Sequence, residues 1–232
     1  MSNHFVINQT KISEQVYDYL RGEIMTGRLE PGVRLDLEEL VGQLKVSKMP
    51  IKEAVGRLAA EGLLDIQARR GTFVSRVEAL ELAETFQVRC ALEVLAGELA
   101  VAHVTKSDLT RLQELIAEME AAVVARDVHR HLERNFEFHE LIIRLSGNRK
   151  LLAVYRQLRT PIHIAGVHFR SANWLARVEQ EQREHRAIVR ALERRDAEAV
   201  KRAIMAHLTR AEASLVSDVE RSDKTAEAAP MT

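Results

Sequence analysis

The sequence predicts a mainly α-helical fold in two parts, a small domain over residues 1–76 and an antiparallel all-helical bundle over residues 77–220. Glycine and proline number only 10 and 4 among 232 residues, which favours helices over a turn-rich β fold. Apolar residues recur at helical spacing along most of the chain, and strand-like patterns occur only in the first part. The small and polar residues of the segment 221–232 predict a disordered tail.

Three helices are predicted in the first part. The first covers residues 11–26, whose apolar side chains repeat every three or four positions. The second begins at the N-cap Asp36, ends at Leu44 and is expected to bury its apolar residues. The third follows the N-cap Ser47, whose hydroxyl is expected to accept a backbone N–H of the first turn. Gly62 is typical of the position just after a helix, so the third helix is predicted to end there.

Positive charge collects on the third helix and on a hairpin behind it. Strands are predicted at residues 63–66 and 72–75, joined by a turn that contains two arginines and a glycine. Residues 45–76 hold seven basic and three acidic side chains, although the whole chain has a net charge of zero. A basic helix followed by a basic hairpin is typical of the winged helix-turn-helix, which binds double-stranded DNA through both elements. The residues expected to contact DNA are Ser47, Lys48, Met49, Pro50, Lys52, Arg57, Arg70 and Gly71.

The second part shows only helical patterns. The predicted helices cover residues 79–102, 107–125, 128–145, 150–160, 162–172, 173–195 and 196–220, with a break just before Pro161. No apolar run approaches the roughly 18 residues of a membrane helix, and the N-terminus lacks the pattern of a signal peptide. The single cysteine, Cys90, excludes an internal disulfide and suits a reducing compartment, so a cytoplasmic protein is expected.

Three histidines occupy positions where the helical pattern calls for apolar residues. They are His139, His185 and His207. If the last two helices form an antiparallel hairpin, His185 and His207 lie level with each other, and Asn135 lies one turn before His139 on the same face. Three inward-facing imidazoles in one bundle predict a divalent metal site. The alternative is a set of core histidines that bond to one another, to water or to carboxylates.

Arg89 is a second candidate for function in the bundle. It can reach the carboxylate of a bound ligand, or it can form an ion pair with Glu93 one helical turn away. His131 is predicted to lie at the surface or at the edge of its helix.

A metalloenzyme is not expected. The pair His139-Glu140 begins like the zinc-protease motif His-Glu-x-x-His, but Ile143 stands where the second histidine is needed. No nucleophilic triad or glycine-rich phosphate loop is evident.

Four segments of the first part resemble the GntR family of bacterial transcription regulators. They are Thr26–Leu35, Val46–Ala54, Glu61–Leu63 and Arg70–Val74. Where the family usually has two arginines, this chain has Lys48 and Lys52, and Met49 replaces a threonine. Lysine keeps the charge but lacks the forked guanidinium that reads guanine with two hydrogen bonds. The resemblance therefore implies DNA binding without indicating the bases that are read.

The helical part resembles the effector-binding FCD domain of the FadR-like branch of that family. The matching segments are Arg89–Glu93, Phe138–Leu141, Ser146–Asn148, Glu184–Ile188 and Ala206–Leu208. The resemblance implies a divalent ion held by the three histidines and an aspartate, at whose position this chain has Asn135. Zinc or nickel is then the expected ion. Arg89 and the ion would hold a small carboxylate effector.

Two regulatory functions are compatible with these residues. The first is a homodimeric transcription regulator, such as a repressor, whose affinity for a palindromic operator changes when the small carboxylate binds. The second is a metal-responsive regulator in which the ion itself is the signal. DNA affinity measured with and without metal, at a constant concentration of the organic ligand, separates the two.

Overall fold

The computed structural model describes residues 10–168 and 174–228, and its contacts divide the chain into two compact units, Met1–Arg76 and Val77–Thr232. The N-terminal arm, the segment 169–173 and the last four residues lie outside the described residues. No helix in the described part of the chain has both the length and the hydropathy needed to cross a bilayer.

The N-terminal unit contains three helices and one small antiparallel sheet. The elements are α1 (Thr10–Met25), β1 (Arg34–Leu35), α2 (Leu37–Leu44), α3 (Lys48–Ala60), β2 (Leu64–Gln67) and β3 (Gly71–Val74). The strand order is β1-β3-β2, so β2 and β3 form the predicted hairpin and β1 pairs with the other edge of β3. This arrangement confirms the winged helix-turn-helix. Strand β1 was not predicted, because two residues are too few to show the alternation of a strand.

The two predicted N-caps behave differently. Asp36 caps α2, and its side chain accepts the backbone N–H groups of Glu38 and Glu39, as expected. Ser47 is the residue before α3, but its side chain makes no capping hydrogen bond, so that expectation is wrong. The reason is local, because the third helical position is Pro50, which has no N–H to donate.

The core of the N-terminal unit lies between α1 and α3. Leu20 and Ile24 of α1 and Ile51 and Leu58 of α3 are at most 1% exposed. In contrast, α2 contains no fully buried residue, so the predicted burial of its apolar face is wrong. Its leucines are half-buried, as suits a short helix that packs on α3 from one side.

The second unit consists of helices throughout its described residues, as predicted. They are α4 (Ala79–Ala100), α5 (Lys106–Val124), α6 (Val128–Leu145), α7 (Arg149–Gln157), α8 (Arg159–His168), α9 (Trp174–Glu193) and α10 (Ala197–Ala228). Helix α4 packs against α6 and α10, and α5 packs against α6 and α9. Helices α4, α6, α9 and α10 therefore surround the interior in which the histidines lie.

The hairpin of α9 and α10 turns where the sequence predicted. Arg195 adopts a left-handed backbone conformation with φ of 53°, and its guanidinium donates to the carbonyl oxygens of Val101 and Val104 at 2.6 and 2.8 Å. These bonds fix the turn to the end of α4. The hairpin places His185 and His207 at the same level of the bundle.

Two predicted boundaries in this unit are wrong. The chain breaks at Leu158 rather than just before Pro161, which lies in the first turn of α8, where its missing N–H costs nothing. Helix α10 continues to Ala228, so helix replaces the predicted disorder over residues 221–228. That segment contains alanine, lysine, arginine and glutamate, which have high helix propensity and extend an existing helix at little cost. Residues 229–232 lie outside the described part.

Gly97→Ala should destabilise the helical unit by about 1–3 kcal/mol, because α4 and α10 approach closely at this residue. An added Cβ would lie 2.6 Å from Cδ1 of Ile204 and 2.7 Å from Cγ1 of Val200, both of which are fully buried. Gly56→Ala is the control, since nothing lies within 4 Å of its Cβ position and alanine favours a helix by up to about 1 kcal/mol. Urea unfolding of both variants checks this, and equal stability would contradict the close packing.

Candidate metal centre and nucleic-acid interface

The three predicted histidines meet in the interior of the helical unit. His139 of α6, His185 of α9 and His207 of α10 are at most 2% exposed. Nε2 of His139 lies 3.3 Å from Nε2 of His185 and 3.2 Å from Nε2 of His207. Ligand nitrogens around an ion with bonds of 2.0–2.1 Å are separated by about 3.3 Å at the tetrahedral angle. The described histidines therefore have the spacing of a metal site.

The Nε2 atom of each ring points to the common centre. The Nδ1 atom of each ring lies next to a side chain that can form a hydrogen bond with it. The Nδ1 pairs are His139 with Glu93 at 2.7 Å, His185 with Gln182 at 3.4 Å, and His207 with Glu184 at 2.9 Å. Carboxylate and amide oxygens can only accept, so Nδ1 of each ring carries the hydrogen and Nε2 presents a lone pair. Three lone pairs pointing at one another repel, and a cation between them removes that repulsion. Such outer partners fix the orientation of metal-binding histidines in proteins.

The surroundings of the cluster favour the neutral forms of His139 and His185. Burial lowers the pKa of His139 to about 4, and burial together with the neighbouring histidines holds the pKa of His185 well below its usual value. Burial opposes ionisation of Glu93, but the charges of Arg89 and His139 outweigh this and lower its pKa to about 2. Protons therefore compete weakly for the nitrogens of His139 and His185 at neutral pH, which favours metal binding.

Asn135 offers an oxygen atom in the cavity beside the candidate centre. Its Oδ1 is buried and has no hydrogen-bond partner among the described residues. The same side chain lines a cavity together with His207. A buried acceptor without a donor is costly, and a cation in the cavity would satisfy it. The three imidazoles, with this amide oxygen in the adjoining cavity, fit a divalent ion.

The cavity beside this centre is narrow and rich in arginine. Its volume is only about 50 Å³, not counting the mouth that opens to solvent. Its charged and polar lining residues are Arg89, His131, Asn135, Arg177, Glu181, His207 and Arg210. The position of Arg89 is compatible with both of its predicted roles, the ion pair with Glu93 and contact with a ligand. Its Nε donates to Oε1 of Glu93 at 2.5 Å, and the side chain lines the cavity.

Several residues that line this site were not predicted from the sequence. His131 is 2% exposed and its Nε2 lies 3.2 Å from Oε1 of Glu181, so the prediction of a surface position is wrong. Burial disfavours its protonation, but the hydrogen bond and charge of Glu181 outweigh burial and raise the pKa of His131. The signal was in the sequence, because His131 precedes Asn135 and His139 at intervals of four on one face of α6. No comparable pattern marked Arg177 or Arg210.

The predicted DNA-contacting residues lie on the exposed side of α3 and on the hairpin. Lys48, Met49 and Lys52 are exposed, opposite the buried face of the helix. Arg70 lies exposed in the hairpin turn, and Gly71, with φ of 122°, follows it at the start of β3. Ser47 is also exposed, whereas Pro50 is half-buried.

Two of the predicted DNA contacts are engaged within the unit itself. Lys48 forms an ion pair with Glu38 of α2. The guanidinium of Arg57 lies 4.0 Å from the ring centre of Tyr17, a cation–π contact that ties α3 to α1. Within the described part of the chain, Lys52, Arg70 and Gly71 have no side-chain contact of this kind that would hold them away from DNA.

The winged helix-turn-helix unit defines a DNA-binding protein, and the helical unit that follows it contains a cavity beside three converging histidines. Comparison with known families agrees with this class. Residues 12–74 match the family described as "Bacterial regulatory proteins, gntR family", and residues 84–210 match the FCD domain. The chain belongs to the GntR family of bacterial transcription regulators and carries an FCD domain, which confirms the resemblance seen in the sequence.

Individual relatives support the same assignment. The chain is 32% identical over 196 residues to the uncharacterized HTH-type transcriptional regulator YdhC of Bacillus subtilis, covering 83% of this chain and 86% of YdhC. It is 26% identical to the HTH-type transcriptional repressor RspR of Escherichia coli, covering 87% and 88%. Among solved structures, E. coli McbR/YncC matches with a TM-score of 0.74 and 26% identity over 89% of this chain and 97% of that one. Because these relatives are named as regulators, the prediction that the chain is not an enzyme is confirmed.

Proposed function

We propose that this chain regulates transcription by binding operator DNA with an affinity that a small carboxylate controls, and that the carboxylate binds beside a divalent metal ion in the helical unit. The observation that carries the proposal is the convergence of three Nε2 atoms, each on a ring whose Nδ1 meets a hydrogen-bonding side chain. Zinc or nickel suits this neutral, nitrogen-rich set of ligands. The ion would attract and orient an anion in the adjoining cavity.

Two buried atoms without partners support binding of both an ion and an anion. Oδ1 of Asn135 is an acceptor and Nη2 of Arg210 is a donor, and neither has a hydrogen-bond partner among the described residues. Both side chains line the same cavity. The acceptor calls for a cation and the donor calls for an oxygen atom, so a metal ion together with a carboxylate would satisfy both. Arg89 remains a candidate contact of the carboxylate from α4.

The DNA-bound form is proposed to be a homodimer on a palindromic operator, because one recognition helix reads only a few base pairs. Helix α4 offers a face for association, since Val88, Leu95 and Leu99 are 46%, 44% and 39% exposed. The same helix carries Arg89 and Glu93, and residues 75–78 connect it to β3 of the hairpin. Movement of α4 upon ligand binding would thus be transmitted along the chain to the DNA-binding unit, which acts in the bacterial cytoplasm.

The proposal predicts that a small acid changes operator affinity only in the metal-loaded protein. The operator is first selected from genomic fragments, and its affinity is measured by fluorescence anisotropy with zinc-loaded and chelator-stripped protein, with and without the acid. A change of about 5–150-fold, the usual range of allosteric coupling, is expected with zinc and none without it. Complexes should contain two chains per operator.

The remaining outcomes separate the alternatives. An effect of zinc that does not depend on the acid would favour the metal-responsive regulator. An equal effect of the acid on loaded and stripped protein would contradict a carboxylate site at the metal. Complexes with one chain per operator would contradict the homodimer.

A further inference from the structure

We propose that the effector is a short dicarboxylate that binds as a dianion, with Arg210 holding its second carboxylate. This inference rests on the proposed function, because it takes the metal centre as one of the two anchors. It follows from two features of the cavity, the balance of its charges and the orientation of its unpartnered atoms.

The side-chain charges around the cavity cancel in pairs. The pairs are Arg89 with Glu93, Arg177 with Asp218, Arg210 with Glu184, and His131 with Glu181. The first three pairs are neutral as ion pairs, and the fourth is neutral when His131 carries a proton. With His131 protonated, the residues that line the cavity and their partners carry no surplus charge before an ion binds, apart from the exposed Arg221, which also pairs with Asp218.

A divalent ion on this set of ligands brings two positive charges that nothing compensates. His139, His185 and His207 bind as neutral imidazoles, and Asn135 offers a neutral amide oxygen. A buried charge that is not neutralised is expensive, so the site favours the anion that restores balance. A monocarboxylate leaves one positive charge, whereas a dicarboxylate leaves none. The small enclosed volume further restricts the effector to a short one.

Arg210 provides the second anchor. Its Nε donates to both carboxylate oxygens of Glu184 at 2.7 and 2.8 Å, while its buried Nη2 has no hydrogen-bond partner among the described residues. Glu184 also accepts from Nδ1 of His207 at 2.9 Å. The carboxylate of Glu184 thus connects the guanidinium of Arg210 to His207, one of the proposed metal ligands. A dicarboxylate with one end at the ion and the other at Arg210 would span this connection.

The test compares two pairs of acids, acetate with malonate and propionate with succinate, using the zinc-loaded protein at matched ionic strength. Dissociation constants come from calorimetry, and thermal shifts provide a second readout. The wild type should bind malonate or succinate at least about tenfold more tightly than the matched monocarboxylate, because one more charge is neutralised at short range. Equal affinities within each pair, or no binding of any of the four acids, would overturn the proposal.

Three variants test which residues cause the preference for dicarboxylates. Asn135→Asp adds one negative charge to the ligand set, so the preference for dicarboxylates should fall by about tenfold while zinc is retained. Arg210→Gln should lose the preference as well, whereas Arg183→Gln, which removes an exposed arginine of the same hairpin, should keep it. If Asn135→Asp kept the full preference for dicarboxylates, the charge of the site would not cause it. If Arg210→Gln kept it, Arg210 would not be the second anchor.

Two further measurements on the same preparations separate this inference from the proposed function. Elemental analysis gives the zinc content, and operator binding gives the activity. A protein that takes up no zinc contradicts the proposed function and the dianion together. A protein that holds zinc and binds its operator, but does not distinguish acetate from malonate, contradicts the dianion alone.

Discussion

His185→Ala should abolish metal binding, whereas the wild type should hold about one divalent ion per chain. The substitution removes one of three nitrogens that lie within 4.8 Å of one another, and the two that remain form a much weaker chelate. Ligand binding at 1,000 times its dissociation constant stabilises a folded protein by about 4 kcal/mol. A chelator should therefore lower the melting temperature of the wild type and leave that of His185→Ala unchanged. Elemental analysis of untagged protein and differential scanning calorimetry are the measurements.

The control for this prediction is His103→Ala, which removes an exposed histidine outside the cluster. It should keep both the ion and the sensitivity to chelator. The comparison with chelator matters because His185 is fully buried, so its loss can destabilise the core in the absence of any metal. A wild-type protein that stays metal-free after incubation with zinc or nickel and desalting would instead favour a core of hydrogen-bonded histidines.

The sequence was a good guide wherever local pattern decides the structure. Helix α6 has the predicted bounds, because Asp127 caps its start and Ser146-Gly147 ends it, and both signals are local. The placement of His185 and His207 at one level followed from helical spacing and one antiparallel hairpin, and the resemblance to the FCD domain added His139. The common level of His185 and His207 requires only the period of the helix and the position of a turn.

The rest depended on contacts between residues far apart in sequence. Glu93 sits on α4, which is apolar nearly all round, and only the packing of α6 brings it to His139. Arg210 and Glu184 are 26 residues apart, and nothing in the sequence of either helix indicates that they pair. The outer partners of the histidines and the charge balance of the cavity are therefore properties of the assembled bundle.

Replacing both recognition-helix lysines by alanine, Lys48→Ala with Lys52→Ala, should weaken operator binding by roughly 10²–10³-fold at physiological salt. A dimer would lose four positive charges at the DNA, and each phosphate contact contributes about one to the slope of log K against log salt. The slope should therefore fall by up to about four. The loss should be aggravated at Lys48, because its removal leaves the carboxylate of Glu38 exposed toward the DNA without its present ion-pair partner. Anisotropy titrations at several salt concentrations measure both quantities.

The matched control is Lys106→Ala with Lys150→Ala, which removes the same charge from two exposed lysines of the helical unit. An equal loss of affinity in both double variants would show that only overall charge matters, and would contradict the assignment of α3 as the recognition helix. Affinity for scrambled DNA, compared with affinity for the operator, shows whether the two lysines contact phosphates or bases. Phosphate contacts carry no sequence information, so their loss weakens operator and scrambled DNA alike, whereas loss of guanine contacts weakens the operator alone. Because lysine lacks the fork that grips guanine with two bonds, we expect the first result.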